Sequence, residues 1–183
     1  MPHELLNRIL IYTGRIFKIA AHEYRLPDGR TYRYDVIEHP GAVTVVPVDK
    51  DGSLIFVRQY RVGCESDLLE FPAGVLEEDE DPLSCAAREL REETGMAAGK
   101  LERLGDFYMV PGYSTEHMHI YLATGLYPAP LPQDRDEFLE LVRYPLRRVL
   151  EMARNGQIHD GKTLAALLIA EPHLGKQNGN HSS

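Results

Sequence analysis

The sequence predicts an α/β domain of the α+β kind, and three observations lead to this fold class. Short runs rich in β-branched and aromatic residues, each bounded by turn residues, occupy much of the first half of the chain. A segment near the middle repeats its apolar residues at helical spacing. Further strand-like runs follow that segment, and two more helical segments come after residue 145.

The N-terminal region is predicted to form a small antiparallel β-hairpin. Its two strands are residues 16–24 and 31–37, and between them stands the tripeptide Pro27, Asp28 and Gly29. Proline presets φ for a turn and glycine accepts a positive φ, so the tripeptide is a turn signal with a physical cause. A hairpin is therefore expected before the main domain begins.

The main domain is predicted to begin with apolar strands. Residues 42–48 and 53–60 are mostly apolar and flank a turn at residues 49–52. Such runs are typical of strands buried on both faces, so we expect these two to pair. Residues 68–71 form another short strand, which ends at Pro72 because proline cannot donate a ladder hydrogen bond.

A central helix is predicted over residues 82–94. Pro82 suits the first turn, where its missing N–H costs nothing, and Gly95 suits the residue after the last turn. The apolar residues fall on one helical face, as Leu83, Ala86, Ala87 and Leu90. The helix is therefore expected to pack on a sheet through that face.

The remaining elements are predicted from periodicity and turn residues. They are strands at 101–109 and 117–124 around a loop at 110–116, a strand near 138–144, and helices at 146–154 and 162–170. The chain is thereby divided into an N-terminal β-region (1–40), a main domain (41–175) and a disordered polar tail (176–183).

Composition excludes several classes of function. The formal net charge of -8 argues against a partner made of nucleic acid, because such surfaces need clustered Lys and Arg. The N-terminus has no basic segment followed by an apolar one, and no apolar run approaches a membrane span, so a cytoplasmic protein is predicted. Cys64 and Cys85 are interpreted as reduced, structural thiols.

Three carboxylates share one face of the central helix. Glu89, Glu92 and Glu93 stand at positions i, i+3 and i+4, which lie side by side on a helix. Like charges at this spacing disfavour the helix unless a cation neutralises them. Oxygen ligands without Cys or His favour Mg²⁺ or Mn²⁺ over Zn²⁺, and Mg²⁺ sites commonly include substrate phosphates. The alternative is that the acids form an ordinary solvated face.

The residues around these acids carry a resemblance to a known family. Five residues separate Gly74 from Glu80, and seven separate Glu80 from a run that begins at Arg88 and Glu89. The run is completed by Leu90, Glu92, Glu93, Gly95 and Met96. In this order and spacing, residues 74–96 resemble the 23-residue loop–helix–loop signature of the Nudix hydrolases.

The resemblance implies a fold and a metal site. The implied fold is an α/β/α sandwich with a mixed sheet, and the implied reaction splits a nucleoside diphosphate from another group. Glu89 and Glu93 would be metal ligands, Glu92 a further or water-mediated ligand, and the carbonyl of Ala73 would complete the shell. Gly74, Glu80, Arg88 and Gly95 would be structural residues of the signature.

A longer part of the chain resembles the ADP-ribose pyrophosphatase subgroup of this family. The segments concerned are 57–61, 69–74, 111–116 and 162–164, and Pro111 is the proline that marks the subgroup. This implies hydrolysis of ADP-ribose to AMP and ribose 5-phosphate by a metal-activated water. It also implies a homodimer built through the N-terminal strands.

Several side chains outside the signature are candidates for substrate contact. Arg58 and Arg61 would suit phosphate oxygens, although either could be a surface ion-pair partner. Glu70 could bind the adenine or ribose end, or be an exposed strand residue. Pro111 is placed with the substrate-binding residues by the same resemblance, and a tyrosine, Tyr60 or Tyr113, could stack on adenine or fill a core margin.

Glu116 is the preferred general base, because it lies on a loop that could close over bound pyrophosphate. If Glu116 is not the base, Glu92 or Glu93 would be. His117 and His119 alternate on one strand and are interpreted as packing or surface residues rather than ligands.

Three alternative functions stay open. Residues 156–163 have the spacing of a nucleotide-binding P-loop, but a predicted helix precedes them, so Asp160 is better explained as a helix cap and Lys162 as a surface residue. A Nudix-like domain could also sense a nucleotide without hydrolysing it. Within the enzyme class, the substrate could be a GDP- or UDP-sugar, a dinucleoside polyphosphate or NADH.

Overall fold

The computed structural model describes residues 2–133 and 138–174. The N-terminal region is a three-stranded antiparallel sheet of β1 (Glu4–Thr13), β2 (Lys18–Arg25) and β3 (Thr31–Glu38), in the order β1-β2-β3. The predicted hairpin is confirmed as β2 and β3, with Gly29 in the turn at φ 88°.

Strand β1 was not foreseen from the sequence. Its apolar residues come in runs of two and three rather than in alternation, and the pairing with β2 shifts register between Leu5 and Asn7 and between Leu10 and Tyr12. Each β-bulge adds an unpaired residue, so the apolar pattern of the strand loses its period of two. A search for strict alternation therefore misses this strand.

The main domain contains two sheets. The first is mixed, in the order β7-β4-β9-β8, with strands at Ala73–Val75, Ala42–Pro47, His117–Pro128 and Met96–Tyr108 respectively. Strands β4 and β9 run parallel and the other neighbours are antiparallel. The second sheet is antiparallel, in the order β10-β5-β6, with strands at Glu140–Pro145, Ser53–Arg61 and Ser66–Glu70. The predicted mixed sheet is confirmed.

The predicted pairing of β4 with β5 is wrong. These strands are joined at a single isolated bridge, between Val48 and Leu54, and then separate into the two sheets. Strand β4 is buried along its whole length and β5 over residues 53–57, and an apolar sequence of that kind does not say which neighbour each strand takes. Strand β8 begins five residues before its predicted start because the low β-propensity segment at residues 97–100 is included in the ladder with β9.

Three helices complete the fold: α1 (Pro82–Thr94), α2 (Leu146–Arg154) and α3 (Gly161–Leu174). Helix α1 has the predicted bounds. The side chain of Asp81 caps it by accepting hydrogen bonds from the N–H groups of Leu83 and Ser84, and Gly95 ends it in the left-handed region at φ 71°. No helix among the described residues is long and apolar enough to cross a membrane.

Two cores hold the layers together on opposite sides of the mixed sheet. On one side, Val43, Tyr121 and Ala123 pack with Ala86 and Leu90 of α1. On the other side, Val46, Ile120 and Leu122 pack with the second sheet and with α2 and α3. The mixed sheet is thus enclosed between helices, as the predicted α/β/α sandwich requires. Helix α1 is fixed against the sheet by its apolar face, which leaves its acidic face to build the site.

Candidate active site

The acidic face of α1 lies against the short strand β7. Glu89 and Glu93 are 8% and 2% exposed, and Glu92 beside them is half-buried. The backbone N–H of Ala73 donates a hydrogen bond to Oε2 of Glu93 at 3.1 Å. The carboxylates therefore meet the backbone of β7 directly, and the residue types at positions 73 and 74 decide how close they come.

Gly74 makes room for the carboxylate of Glu89. A Cβ atom at position 74 would lie 1.8 Å from Oε1 of Glu89 and 1.9 Å from its Cδ atom. These distances are far shorter than any real contact of a Cβ atom, so a side chain at position 74 would displace the carboxylate. Glycine is required here by close approach to Glu89.

Arg88 connects α1 to the loop that precedes it. Its guanidinium donates two hydrogen bonds to Glu80, at 2.9 and 2.8 Å, and one to the carbonyl of Val75 at 3.3 Å. It also donates to Glu89 at 2.5 Å and to Glu92 at 2.9 Å. Hydrogen bonds from Arg88 lower the pKa of Glu80 to about 2. One guanidinium thus orients three carboxylates, which is the kind of contact that the predicted structural role of Arg88 and Glu80 needs.

These acids border a cavity of about 730 Å³, a size suited to a small-molecule ligand. Glu89 and Glu92 line one part of it, together with Ala73 and Gly74. The cavity also receives cationic side chains, namely Arg15, Arg61, Arg88 and Lys162. A polyanion with a divalent cation would find both kinds of charge that it needs in this cavity.

Glu116 lies in the lining of the same cavity, although it is far from the acids in sequence. It immediately precedes β9, and its N–H donates to the hydroxyl of Ser114 at 3.1 Å while its carbonyl accepts from the N–H of Met109 at 3.1 Å. The backbone at the end of the loop is therefore held, and Glu116 borders the same space as Glu89 and Glu92.

Glu70 is buried at the floor of the site and is not an exposed strand residue. It is 1% exposed, accepts hydrogen bonds from Arg61 at 2.8 and 2.7 Å, and forms an ion pair with Lys162. Burial raises the pKa of Glu70. The hydrogen bonds from Arg61 and the charge of Lys162 lower it by a larger amount, so the net shift of the pKa is downward. Glu70 is thus ionised and holds two cations of the cavity.

The interpretation of Lys162 as a surface residue is wrong. Lys162 is 8% exposed, lines the cavity, and binds Asp160 at 2.9 Å in addition to Glu70. Asp160 does cap α3, since its Oδ2 atom accepts from the N–H of Thr163 at 2.9 Å. The cap fixes the first turn of α3, from which Lys162 reaches Glu70. The sequence signal that could have placed Lys162 in the site is the segment 162–164, which resembles the subgroup.

The P-loop alternative does not fit this geometry. Helix α2, not a strand, precedes residues 156–163. The hydroxyl of Thr163 donates to Asp160 at 2.6 Å and accepts from the N–H of Phe71 at 2.9 Å, and Thr163 is fully buried. A P-loop needs this hydroxyl for a metal ion. In this structure the Thr163 hydroxyl is engaged by Asp160 and Phe71 and stabilises the fold instead.

Other predicted contacts lie away from the cavity. Arg58 faces a separate depression and pairs with Glu140 at 3.4 Å, as expected of a surface ion pair. Pro111 lies in the turn of the loop that leads to Glu116. Tyr60 and Tyr113 are 55% and 54% exposed, so neither fills a core margin. Arg15, from the turn between β1 and β2, lines the cavity and was missed, because it lies outside every motif.

Comparison with known proteins agrees with this site. The family model described as NUDIX domain matches residues 38–167, which is more than half of the chain. The chain therefore belongs to the Nudix family, and it is a Nudix pyrophosphohydrolase. The matched residues include the loop–helix–loop that carries Gly74, Glu89 and Glu93.

Individual relatives show which members of the family the chain is similar to. The chain is 36% identical over 159 residues to the ADP-ribose pyrophosphatase of Bacillus subtilis, covering 86% of each protein. It is 37% identical over 159 residues to the methanol dehydrogenase activator of Bacillus methanolicus, again covering 86% of each. A crystal structure of an ADP compounds hydrolase matches with a TM-score of 0.83, 30% identity and coverage of 95% of both chains.

Proposed function

We propose that this enzyme hydrolyses the pyrophosphate bond of ADP-ribose to AMP and ribose 5-phosphate, with Mg²⁺ as the cation and Mn²⁺ able to replace it. One observation carries the proposal: a single cavity is lined by Glu89 and Glu92 of α1, by Glu116, and by the cations Arg61 and Lys162. The similarity to proteins named for hydrolysis of ADP-ribose and of ADP compounds supports this substrate class.

The residues present fit a divalent cation. Glu89, Glu92 and Glu93 supply hard oxygen ligands, and Gly74 leaves the space that the carboxylate of Glu89 occupies. The carbonyl of Ala73 would add a neutral oxygen ligand beside Glu93. When bound, the cation would polarise the phosphoryl oxygens and lower the pKa of a bound water.

Glu116 would act as the general base by taking the proton of the attacking water. It borders the cavity from the loop, whereas Glu89 and Glu92 border it from α1, so a separate task for Glu116 is compatible with its position. Glu92 or Glu93 remains the alternative base, but ligation to the cation would lower the basicity of either.

Arg61 and Lys162 would hold the phosphates, and Glu70 would position both cations. Glu70 is 1% exposed and already engaged with Arg61 and Lys162, so we propose that it acts on the substrate through these two side chains rather than by direct contact. The planar guanidinium of Arg61 offers paired donors to phosphate oxygens, and Lys162 offers a compact charge.

We also propose that two copies associate through the N-terminal sheet. Large apolar side chains on β1 are exposed to water in the single chain, with Leu5 and Ile9 at 48% and Ile11 at 54%. An apolar surface of this extent is typical of a protein interface. The interface would form beside Arg15, which already lines the cavity.

The function is tested by product identity. Protein freed of metal with a chelator is given ADP-ribose with Mg²⁺, with Mn²⁺ or with neither, and the products are separated by chromatography. We expect AMP and ribose 5-phosphate with either cation, and no turnover without one. A panel of a GDP-sugar, a UDP-sugar, a dinucleoside polyphosphate and NADH is run beside it. Binding of ADP-ribose without release of AMP would instead support a nucleotide-sensing domain. If a member of the panel is hydrolysed faster than ADP-ribose, that compound would be the substrate in place of ADP-ribose.

A Glu93→Gln variant serves as the control for the metal site. Glu93 is 2% exposed, and glutamine keeps the shape of its side chain while removing the charge. We expect turnover to be abolished while the circular dichroism spectrum stays that of a folded protein. Near-normal turnover in this variant would contradict the metal assignment.

A further inference from the structure

A second group of metal-ligating side chains lies on the mixed sheet, outside the cavity. One carboxylate oxygen of Asp106 and one ring nitrogen each of His117 and His119 lie within 4.8 Å of one another. Asp106 is on β8 and both histidines are on β9, so the group crosses between two neighbouring strands. His117 and His119 alone are typical of packing or surface residues, but with Asp106 beside them they form a group that could hold a metal ion.

The register of the sheet brings the three side chains together. His117 and His119 are two residues apart on a strand and therefore point to the same face. The pairing of β8 with β9 shifts between Arg103 and Gly105, and after this bulge Asp106 is the partner of His119. Without the extra residue, Gly105 would stand opposite His119 and would offer no ligand. The bulge thus aims a carboxylate at the two imidazoles.

Hydrogen bonding explains two of the three side chains but not the third. His117 Nε2 and Asp106 Oδ1 are 2.9 Å apart, and the ring of His117 stacks on Tyr108 with centroids 4.6 Å apart. The Nδ1 atom of His119 is buried and finds no hydrogen-bond partner among residues 2–133 and 138–174. A buried ring nitrogen without a partner is costly unless something binds it.

The group is separate from the acids of α1. Gly74, Val43, His119 and Asp106 are successive partners across β7, β4, β9 and β8. Neighbouring strands are spaced by about 4.8 Å, so His119 lies roughly 10 Å from Gly74. Asp106, His117 and His119 are also absent from the lining of the cavity that Glu89 and Glu92 border, so the two groups occupy separate places.

We propose that Asp106, His117 and His119 form a second metal site, which binds a divalent transition ion of the Zn²⁺ type rather than Mg²⁺. Two imidazoles and one carboxylate suit Zn²⁺, Co²⁺ or Ni²⁺, whereas Mg²⁺ prefers oxygen ligands alone. Three protein ligands leave a fourth position for water. In a tetrahedral site the ligand atoms are roughly 3.3 Å apart, so no pair, each now within 4.8 Å, must close by more than about 1.5 Å.

Arg103 is the one cation that contacts this group among the described residues. It donates to Oδ2 of Asp106 at 2.5 Å, and its side chain is 54% exposed. Oδ1 of Asp106 is the oxygen that faces His117, so a metal ion would take that oxygen and Arg103 could keep the other. The ion would cross-link β8 and β9 at the base of the loop that ends in Glu116.

The site is tested by measuring metal binding to the full chain without an affinity tag. Every sample carries Glu93→Gln, so that metal binding at the acids of α1 is weakened throughout. Zn²⁺ is titrated calorimetrically with Mg²⁺ in excess, and Co²⁺ is followed by its visible absorption. We expect one ion per chain. Adding His119→Gln, or separately Asp106→Asn, should weaken binding at least about tenfold, since even outer-shell changes cost that much.

A matched control is His159→Gln. His159 is exposed, bonds the carbonyl of Gly156 and is not part of the group of Asp106, His117 and His119, so its loss should leave Zn²⁺ affinity unchanged. Circular dichroism and the thermal midpoint of the metal-free variants establish that each is folded, and Asp106→Asn replaces His119→Gln if the latter is not. Equal Zn²⁺ affinity with and without His119, or with and without Asp106, would overturn the proposal.

Discussion

Gly74 lies beneath the carboxylate of Glu89, and Gly74→Ala is the most direct test of how the site is built. A Cβ atom would stand 1.8 Å from Oε1 of Glu89, whereas ordinary contact begins at about 3.4 Å. The carboxylate must therefore retreat by roughly 1.6 Å, the difference between these distances. Gly74 does not have a positive φ, so alanine brings no backbone strain, and the effect falls on Glu89.

The expected loss in kcat/KM for ADP-ribose follows from this displacement. Misplacement by about 1 Å in an active site can cost about 100-fold, so we expect at least that loss, with a weaker apparent affinity for Mg²⁺. The cost in unfolding free energy should be about 1–3 kcal/mol, as for other overpacked positions. Steady-state kinetics across a range of Mg²⁺ concentrations and urea unfolding measure the two effects.

Gly63→Ala is the matched control, because a Cβ atom at position 63 meets nothing within 4 Å. It should leave kcat/KM and the apparent affinity for Mg²⁺ unchanged. If Gly74→Ala retains near-normal kcat/KM while folded, Glu89 is not needed at its present position. The assignment of Glu89 as a metal ligand would then be refuted.

Three further predictions concern residues around the site. Glu116→Gln should lower kcat by about 10²–10⁴-fold with little change in KM, as for loss of a general base, and a fall of less than tenfold in steady-state kinetics would place the base elsewhere. The pKa of Glu80 falls from 4.5 to about 2 in the fold through Arg88, so its stabilising effect is complete above about pH 4.5 and is lost as the pH falls toward 2. Urea unfolding should accordingly show Glu80→Gln less stable than the parent by about 1–2 kcal/mol near pH 6, once solvent screening of the ion pair is allowed for, and by less near pH 3. An equal difference at both pH values would contradict the ion pair. Ile11→Lys should convert the proposed dimer to a monomer of 20.7 kDa in light scattering, and a parent that is itself monomeric would refute the N-terminal interface.

The parts of the fold that were predictable depend on local chemistry. The bounds of α1 follow from a capping Asp81, a proline in the first turn and Gly95 after the last turn, all within one short segment. The acidic face follows from spacing alone, because side chains at i, i+3 and i+4 share a surface in any helix. The pairing of β4 was not predictable in this way, because its partners β7 and β9 are separated from it by about 30 and 75 residues of chain.

The buried network at Glu70 shows the same limit within the site. Glu70 and Lys162 are 92 residues apart, and each alone resembles an ordinary surface residue. Their burial becomes intelligible only when α3 is packed beside β6, with Asp160 capping the helix and Thr163 bonded to the N–H of Phe71. Neither periodicity nor spacing carries that information.

These two kinds of residue divide the work of the enzyme. The acids come from one continuous segment, since a cation needs each ligand held within about 0.5 Å of its productive position and a single helix can hold them so. Arg61 and Lys162 come from distant elements and meet through Glu70. This separation predicts that substitutions at Arg61 raise KM for every phosphate-bearing substrate of the panel, whereas substitutions at Glu93 lower kcat for every one of them.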